Sequence, residues 1–254
     1  MRKIYALRIK ILLSVFCLLG SVGSVWAQAI VANPNNSSSG FRVPGYSLTV
    51  LADYGYNYTW LSHGNLDIQA FMPVNKHVEL ESKLQLSTAN VYTISAIARP
   101  KFAVPVGEMF LETELMDRLV ARARQNDFCM AVSVGYRMDY VSVQLGLFSR
   151  VMAPLHHDWH DEDRVISEPF NLLYRVEVFC RPQAERWNIM ALITNKNDYS
   201  MERMWQPAFS LSTRYDVDKN WRILGGLECK PSGMFHLNAT FYSFNARAGF
   251  AYRF

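Results

Sequence analysis

From Tyr46 to the C-terminus, apolar and polar side chains alternate almost one for one. In the stretch YSLTVLADYGYNYTW, Tyr46, Leu48, Val50, Ala52, Tyr54, Tyr56, Tyr58 and Trp60 fall on one parity, and Ser47, Thr49, Asp53, Gly55, Asn57 and Thr59 on the other. A strand sends successive side chains to opposite faces, so a period of two describes a two-faced strand and excludes an amphipathic helix. The pattern recurs between turn residues. Val78, Leu80, Leu84 and Leu86 oppose Glu79, Glu81, Lys83 and Gln85, and Val141, Val143, Leu145 and Leu147 oppose Ser142, Gln144 and Gly146. The last segment, NARAGFAYRF, sets Ala246, Ala248, Phe250, Tyr252 and Phe254 against Arg247 and Arg253. Counted this way the chain holds 12 strands, the last starting near Tyr242.

The connections fall into two classes. Short ones are expected near Val74 to His77, Pro105 to Glu108, Met138 to Asp139, Pro182 to Glu185 and Val217 to Lys219. Interleaved with them are connections near Ser62 to Gly64, Ser87 to Asn90 and Arg124 to Asp127, then three longer ones, Met152 to Pro169, Asn195 to Gln206 and Pro231 to Phe241. Tight turns at one end and longer loops at the other are the habit of an outer-membrane barrel, with the short turns periplasmic. A soluble sandwich or small barrel would have to bury the whole apolar parity inside, Tyr and Trp included. A membrane barrel turns that parity to lipid and keeps Glu, Arg, Ser and Gly inside with water. Tyr and Trp near the strand ends, as at Tyr136, Trp187, Tyr215 and Trp221, match interfacial girdles. The fold class is therefore all-β, a 12-stranded antiparallel up-and-down transmembrane β-barrel over residues 46–254.

The N-terminal region changes the reading of charge. Residues 1–27 carry Arg2, Lys3, Arg8 and Lys10, an apolar run from Ile11 to Leu19, and small residues before Ala27. This is the layout of a secretory signal peptide, and the run is too short to span a bilayer as a helix. Residues 28–45, with NPNNSSSG, read as a flexible periplasmic leader. The full chain has 26 Lys+Arg against 22 Asp+Glu. Four of the basic residues and none of the acidic ones lie in the signal, so the mature chain is balanced at 22 against 22. That balance removes any charge argument for nucleic-acid binding. Of four cysteines, Cys17 lies in the signal; Cys129, Cys180 and Cys229 form neither a disulfide framework nor a C-x-x-C metal spacing.

The C-terminal segment, with Phe250, Tyr252 and Phe254 at two-residue steps, resembles the targeting signal of Gram-negative outer-membrane β-barrel proteins. The resemblance implies the cell outer membrane as the location and the barrel-assembly machinery as a partner during insertion. Outer-membrane lipid would then face the apolar parity, with lipopolysaccharide around the outer loops. It implies no activity.

Candidate chemistry lies on the polar parity and in one loop. Asp53, Glu79, Glu81, Lys83, Arg99, Glu112, Glu114, Arg175, Glu177, Arg214 and Arg247 form a lumenal charged network, acids weighted to the early strands and arginines to the late ones. Closure of the barrel places Asp53 near Arg247 across the seam, and Glu112 or Glu114 within reach of Arg99 or Lys101. Two readings stay open: a polar pore whose opposed charge walls orient a solute, and an ion-paired plug. The stretch PLHHDWHDEDR offers His156, His157, His160 and Asp161 as metal donors, with a solvated loop that meets lipopolysaccharide as the plainer reading. A rim-sited lipid hydrolase would draw on His236 with Ser243 and Asn238, or on His63, but no nucleophile motif supports it. The sequence thus favours a small-solute pore or a surface-exposed structural barrel over an enzyme. It assigns no catalytic residue and no cofactor.

Overall fold

The computed structural model describes residues 45–57, 61–121, 125–154, 166–181, 186–195, 207–233 and 238–254. Twelve strands follow one another: β1 (Ser47–Asn57), β2 (Leu61–Asn75), β3 (Val78–Ser87), β4 (Val91–Ala103), β5 (Glu108–Val120), β6 (Gln125–Arg137), β7 (Val141–Pro154), β8 (Ile166–Phe179), β9 (Trp187–Thr194), β10 (Ala208–Asp216), β11 (Trp221–Gly233) and β12 (Asn238–Arg253). Each pairs antiparallel with the next, and β1 pairs with β12 to close the barrel. The seam is fully registered, from Ser47 opposite Arg253 to Asn57 opposite Ser243. Closure leaves no strand edge to satisfy, which is the condition for a sheet to stand in lipid.

The two parities behave as the alternation predicts. Outward Val143, Leu145, Leu147, Leu211 and Ile223 are exposed, while inward Ser142, Gln144, Ser210, Ser212 and Arg222 are buried. At the short-turn end aromatic rings pack against one another. Trp221 lies 5.7 Å from Phe250 and 4.8 Å from Tyr252, whose ring meets Phe254 edge-on at 5.1 Å. Guanidiniums cover two more rings of this girdle, Arg181 over Trp187 at 4.8 Å and Arg186 over Tyr215 at 5.0 Å.

Several boundaries differ from the sequence reading. Ser62, His63 and Gly64 belong to β2, because the β1–β2 ladder runs on to Asn57 opposite Leu61. Asp127 belongs to β6, opposite Met152. Likewise β7 extends to Pro154, β8 starts at Ile166, β11 reaches Gly233 and β12 starts at Asn238. The common cause is that strands rise past the apolar belt, where polar residues on both faces erase the alternation on which the reading relied.

Two glycines are fixed by geometry. Gly107 turns the β4–β5 connection at φ 94°, where a side chain would also meet the carbonyl of Arg137. Gly135 faces the lumen opposite Phe110, whose ring lies across it; a methyl group at Gly135 would overlap that ring. The Arg137 guanidinium then stacks on the Phe110 ring at 4.8 Å.

Candidate functional site

The lumenal wall carries the chemistry. At its centre, Arg99 on β4 sits 2% exposed between two carboxylates. Its Nη1 donates to Glu81 Oε2 on β3 at 2.8 Å, and its Nε donates to Glu112 Oε2 on β5. Glu112 Oε1 also accepts from Gln144 Nε2 on β7 at 2.9 Å, and the same amide nitrogen reaches Ser133 Oγ at 2.5 Å. One layer nearer the short turns, Lys101 Nζ meets Glu79 at 2.6 Å and Glu108 at 3.5 Å, and Arg137 meets Glu108 at 2.9 Å. These residues face each other because adjacent strands in register place same-parity side chains side by side.

Further round the wall, Arg150 binds Asp127 at 2.9 Å, Arg175 binds Glu177 at 2.5 Å, Arg222 binds Asp216, and Arg247 binds Glu228 at 2.6 Å. Gln85 donates to Asp67 at 2.6 Å and Asn65 donates to Asp53. The ion pairs described here join side chains on one strand or on neighbouring strands. These pairs run along the wall, while Arg175 on β8 also lies within electrostatic reach of Glu112 on β5 and Glu81 on β3.

Around the circumference the charge is unequal. Among the described residues, β1–β5 turn seven carboxylates inward (Asp53, Asp67, Glu79, Glu81, Glu108, Glu112, Glu114) against four cations (Lys83, Arg99, Lys101, Arg118). On β6–β12, among the side chains that are described, eight cations (Arg137, Arg150, Arg175, Arg214, Arg222, Lys230, Arg247, Arg253) stand against four carboxylates (Asp127, Glu177, Asp216, Glu228). One side of the lumen is net acidic and the other net basic.

Of the residues the sequence singled out, Arg99, Glu81 and Glu112 are brought together as one cluster, and Glu79, Arg175 and Glu177 join neighbouring pairs. Lys83 and Arg214 face inward on β3 and β10, and Glu114 is buried on β5. Asp53 and Arg247 are register partners across the seam, as closure required; Asp53 also accepts from Asn65, and Arg247 donates to Glu228. Asp127, Arg150, Glu108 and Asp216 were missed as network members because each lies near a strand end; their parity with Cys129, Phe148, Glu112 and Arg214 was the available signal. His156, His157, His160, Asp161 and His236 lie outside the described residues. Among the described residues no group of three His, Cys, Asp or Glu is placed to hold a metal. His63 is not at a rim turn but buried on β2, and Ser243 is buried on β12 opposite Asn57 and Lys230.

No protein-family model matches the sequence, and no curated protein matches it by sequence. Solved structures match by shape. The translocator domain of the autotransporter NalP from Neisseria meningitidis is 12% identical, with a TM-score of 0.54 over 95% of this chain and 95% of that one. An outer-membrane channel from Pseudomonas putida is 9% identical, with a TM-score of 0.51 over 86% of this chain and 100% of that one. The KdgM porin solved with oligogalacturonate is 12% identical, with a TM-score of 0.50 over 82% of this chain and 99% of that one. These identities carry the architecture and nothing finer. With its closed 12-stranded antiparallel wall, the chain has the fold of the Gram-negative outer-membrane β-barrels.

Proposed function

We propose that this barrel is a passive channel for small polar or charged solutes in the outer membrane. Lipid lies against the apolar parity, lipopolysaccharide surrounds the long-loop end, and the barrel-assembly machinery recognises Phe250, Tyr252 and Phe254. The observation that carries the reading is the lateral run of the ion pairs. An eight-stranded barrel is just filled by its own side chains, and twelve strands enclose a wider interior. Charges tied to neighbours along that wide wall line a path. The acidic-weighted and basic-weighted halves then set a field across the path that turns a dipolar solute as it passes. Two barrels of this fold, KdgM and the Pseudomonas putida protein, are described as a porin and a channel, which agrees with this reading.

The test is electrical. The refolded chain in a planar bilayer should give discrete conductance steps, and they should persist after deletion of His156 to Asp163. Glu81→Gln and Arg175→Gln should move the reversal potential in a salt gradient in opposite directions, the first toward anions and the second toward cations. Silence of the wild-type chain would refute the channel.

A further inference from the structure

On the β3–β5 wall cations and carboxylates interleave, Arg99 between Glu81 and Glu112 and Lys101 between Glu79 and Glu108. At the short-turn end of β10–β12 the balance changes. Arg214, Arg222 and Arg253 face inward there, and among the described residues a single inward carboxylate, Asp216, stands with them. The register explains the grouping. Arg222 lies opposite Asp216 and Arg214 opposite Leu224, so Arg214 and Arg222 are diagonal neighbours across β10–β11. Arg222 also lies opposite Ala251 on β12, which makes Arg253 its diagonal neighbour on the other side. Diagonal positions on one face stand about 7–8 Å apart, within reach of long side chains. In keeping with that spacing, Arg214 and Arg253 each lie within electrostatic reach of Arg222 and Asp216.

Asp216 offsets one cation of the three. Arg222 holds both of its oxygens, Oδ1 through Nε and Oδ2 through Nη2 at 3.0 Å. The cross-strand partners of the outer two arginines bring no charge: Asn188 on β9 faces Arg214, and Ser47 on β1 faces Arg253. Arg253 Nε is buried and has no hydrogen-bond acceptor among the described residues. The backbone beneath it is nevertheless fixed, since Arg253 N donates to Asn220 O at 2.8 Å and Arg253 O accepts from Asn220 Nδ2 at 2.9 Å. Arg214 and Arg222 are both buried, and like charges so placed repel one another unless an anion joins them. The floor beside them is apolar. Leu224 and Ala251, their own cross-strand partners, pack with Leu51 in a buried cluster, which keeps the local dielectric low and strengthens the pull on any anion that enters. Toward the mouth the group is open, with the Asp216 side chain 25% exposed.

We infer that Arg214, Arg222 and Arg253 form an oxyanion site at the short-turn mouth of the lumen, which holds the phosphate, sulfate or carboxylate group of a solute. Guanidinium forks match the paired oxygens of such groups, whereas a halide has no second oxygen to engage. Three cations against one carboxylate leave a surplus that suits a divalent group above a monovalent one. The site lies on the path of the proposed channel and rests on that reading for its role there, to detain anionic solutes at one mouth; binding itself needs only the rim of β10–β12.

The test is equilibrium dialysis of the full refolded chain, in nanodiscs of zwitterionic lipid, against radiolabelled sulfate at constant ionic strength. Binding should be saturable. Inorganic phosphate should displace the sulfate, acetate should do so more weakly, and chloride should not. Arg253→Gln should weaken sulfate binding at least fivefold, whereas Lys219→Gln, the same change of charge on the exposed β10–β11 turn, should leave it within twofold. Both variants are first checked for heat-modifiable mobility on gels. Non-saturable uptake, equal displacement by chloride, an affinity that Arg253→Gln leaves unchanged, or one that Lys219→Gln lowers as much would overturn the site. The displacement arms decide even where Arg253→Gln fails to fold. Conductance steps without sulfate binding would refute the site and leave the channel standing; sulfate binding by an electrically silent barrel would keep the site and refute the channel.

Discussion

Replacing Arg99 by Met keeps most of the side-chain volume and removes only the charge that separates Glu81 from Glu112. Both carboxylates are held by the same guanidinium, which is 2% exposed. Lys101, the nearest cation on β4, is already engaged with Glu79 and Glu108 and cannot replace it. Breaking a buried pair from one side costs about 3–5 kcal/mol, because a desolvated charge is left behind, whereas an exposed pair is worth about 1 kcal/mol or less. Arg99→Met should therefore destabilise the barrel by about 3–5 kcal/mol. Removing the stranded charges as well, in Arg99→Met with Glu81→Gln and Glu112→Gln, should recover at least half of that loss. The assay is reversible urea unfolding of the refolded chain in lipid vesicles, followed by tryptophan fluorescence, with gel mobility as a second probe. A cost for Arg99→Met within about 1 kcal/mol of zero would show that the cluster is as well solvated as a surface pair and would refute the reasoning.

Further outcomes are expected. Leu145→Arg, on the lipid face near mid-strand, should cost roughly 2–4 kcal/mol in the same assay; Gln144→Leu should also cost about 1–3 kcal/mol, since it strips hydrogen bonds from Glu112 and Ser133. Gly135→Ala should cost about 1–3 kcal/mol by driving the Phe110 ring off its seat, and Phe110→Ala in the same chain should cancel most of that overlap. Deletion of Phe254 should leave export intact but lower the fraction of heat-modifiable, membrane-inserted protein, because it removes the hydrogen bond to Tyr46 O and the edge contact with Tyr252. Asp218, in the β10–β11 turn, accepts from the backbone N–H groups of Trp221 and Asn220 and is held below the usual carboxylate range by them. Its contribution is present at neutral pH and vanishes as pH falls through that lowered value, so the stability difference between wild type and Asp218→Asn should close in strong acid.

How much of this was legible follows from where the alternation is clean. Within the belt, as at Val141 to Leu147, one parity must be apolar and the other must not, and the sequence states the strand, its faces and its neighbours together. Above the belt both faces meet water. Asp127 then looked like a loop residue although it pairs with Arg150 in the lumen. Cluster membership was only partly readable. The proximity of Glu112 and Arg99 followed from adjacent strands, but the reach of Arg247 to Glu228, which is not its direct cross-strand partner, depends on the height of each residue in a tilted ladder. Alternation does not record that height.

The β1–β12 seam has a consequence for the order of events in assembly. Ser47 lies opposite Arg253, so the contact that closes the cylinder joins residues separated by almost the whole barrel, while all other ladders join segments adjacent in sequence. Loop-closure entropy falls on that single step, and contacts of such long range are the slow ones. Eleven hairpins can accumulate as an open, curling sheet, but both of its edges stay available to any other strand until Phe254 N reaches Tyr46 O. Folding is thus a zipper with one late clasp, and the growing sheet needs a surrogate edge for β1 throughout the time that β12 has yet to arrive.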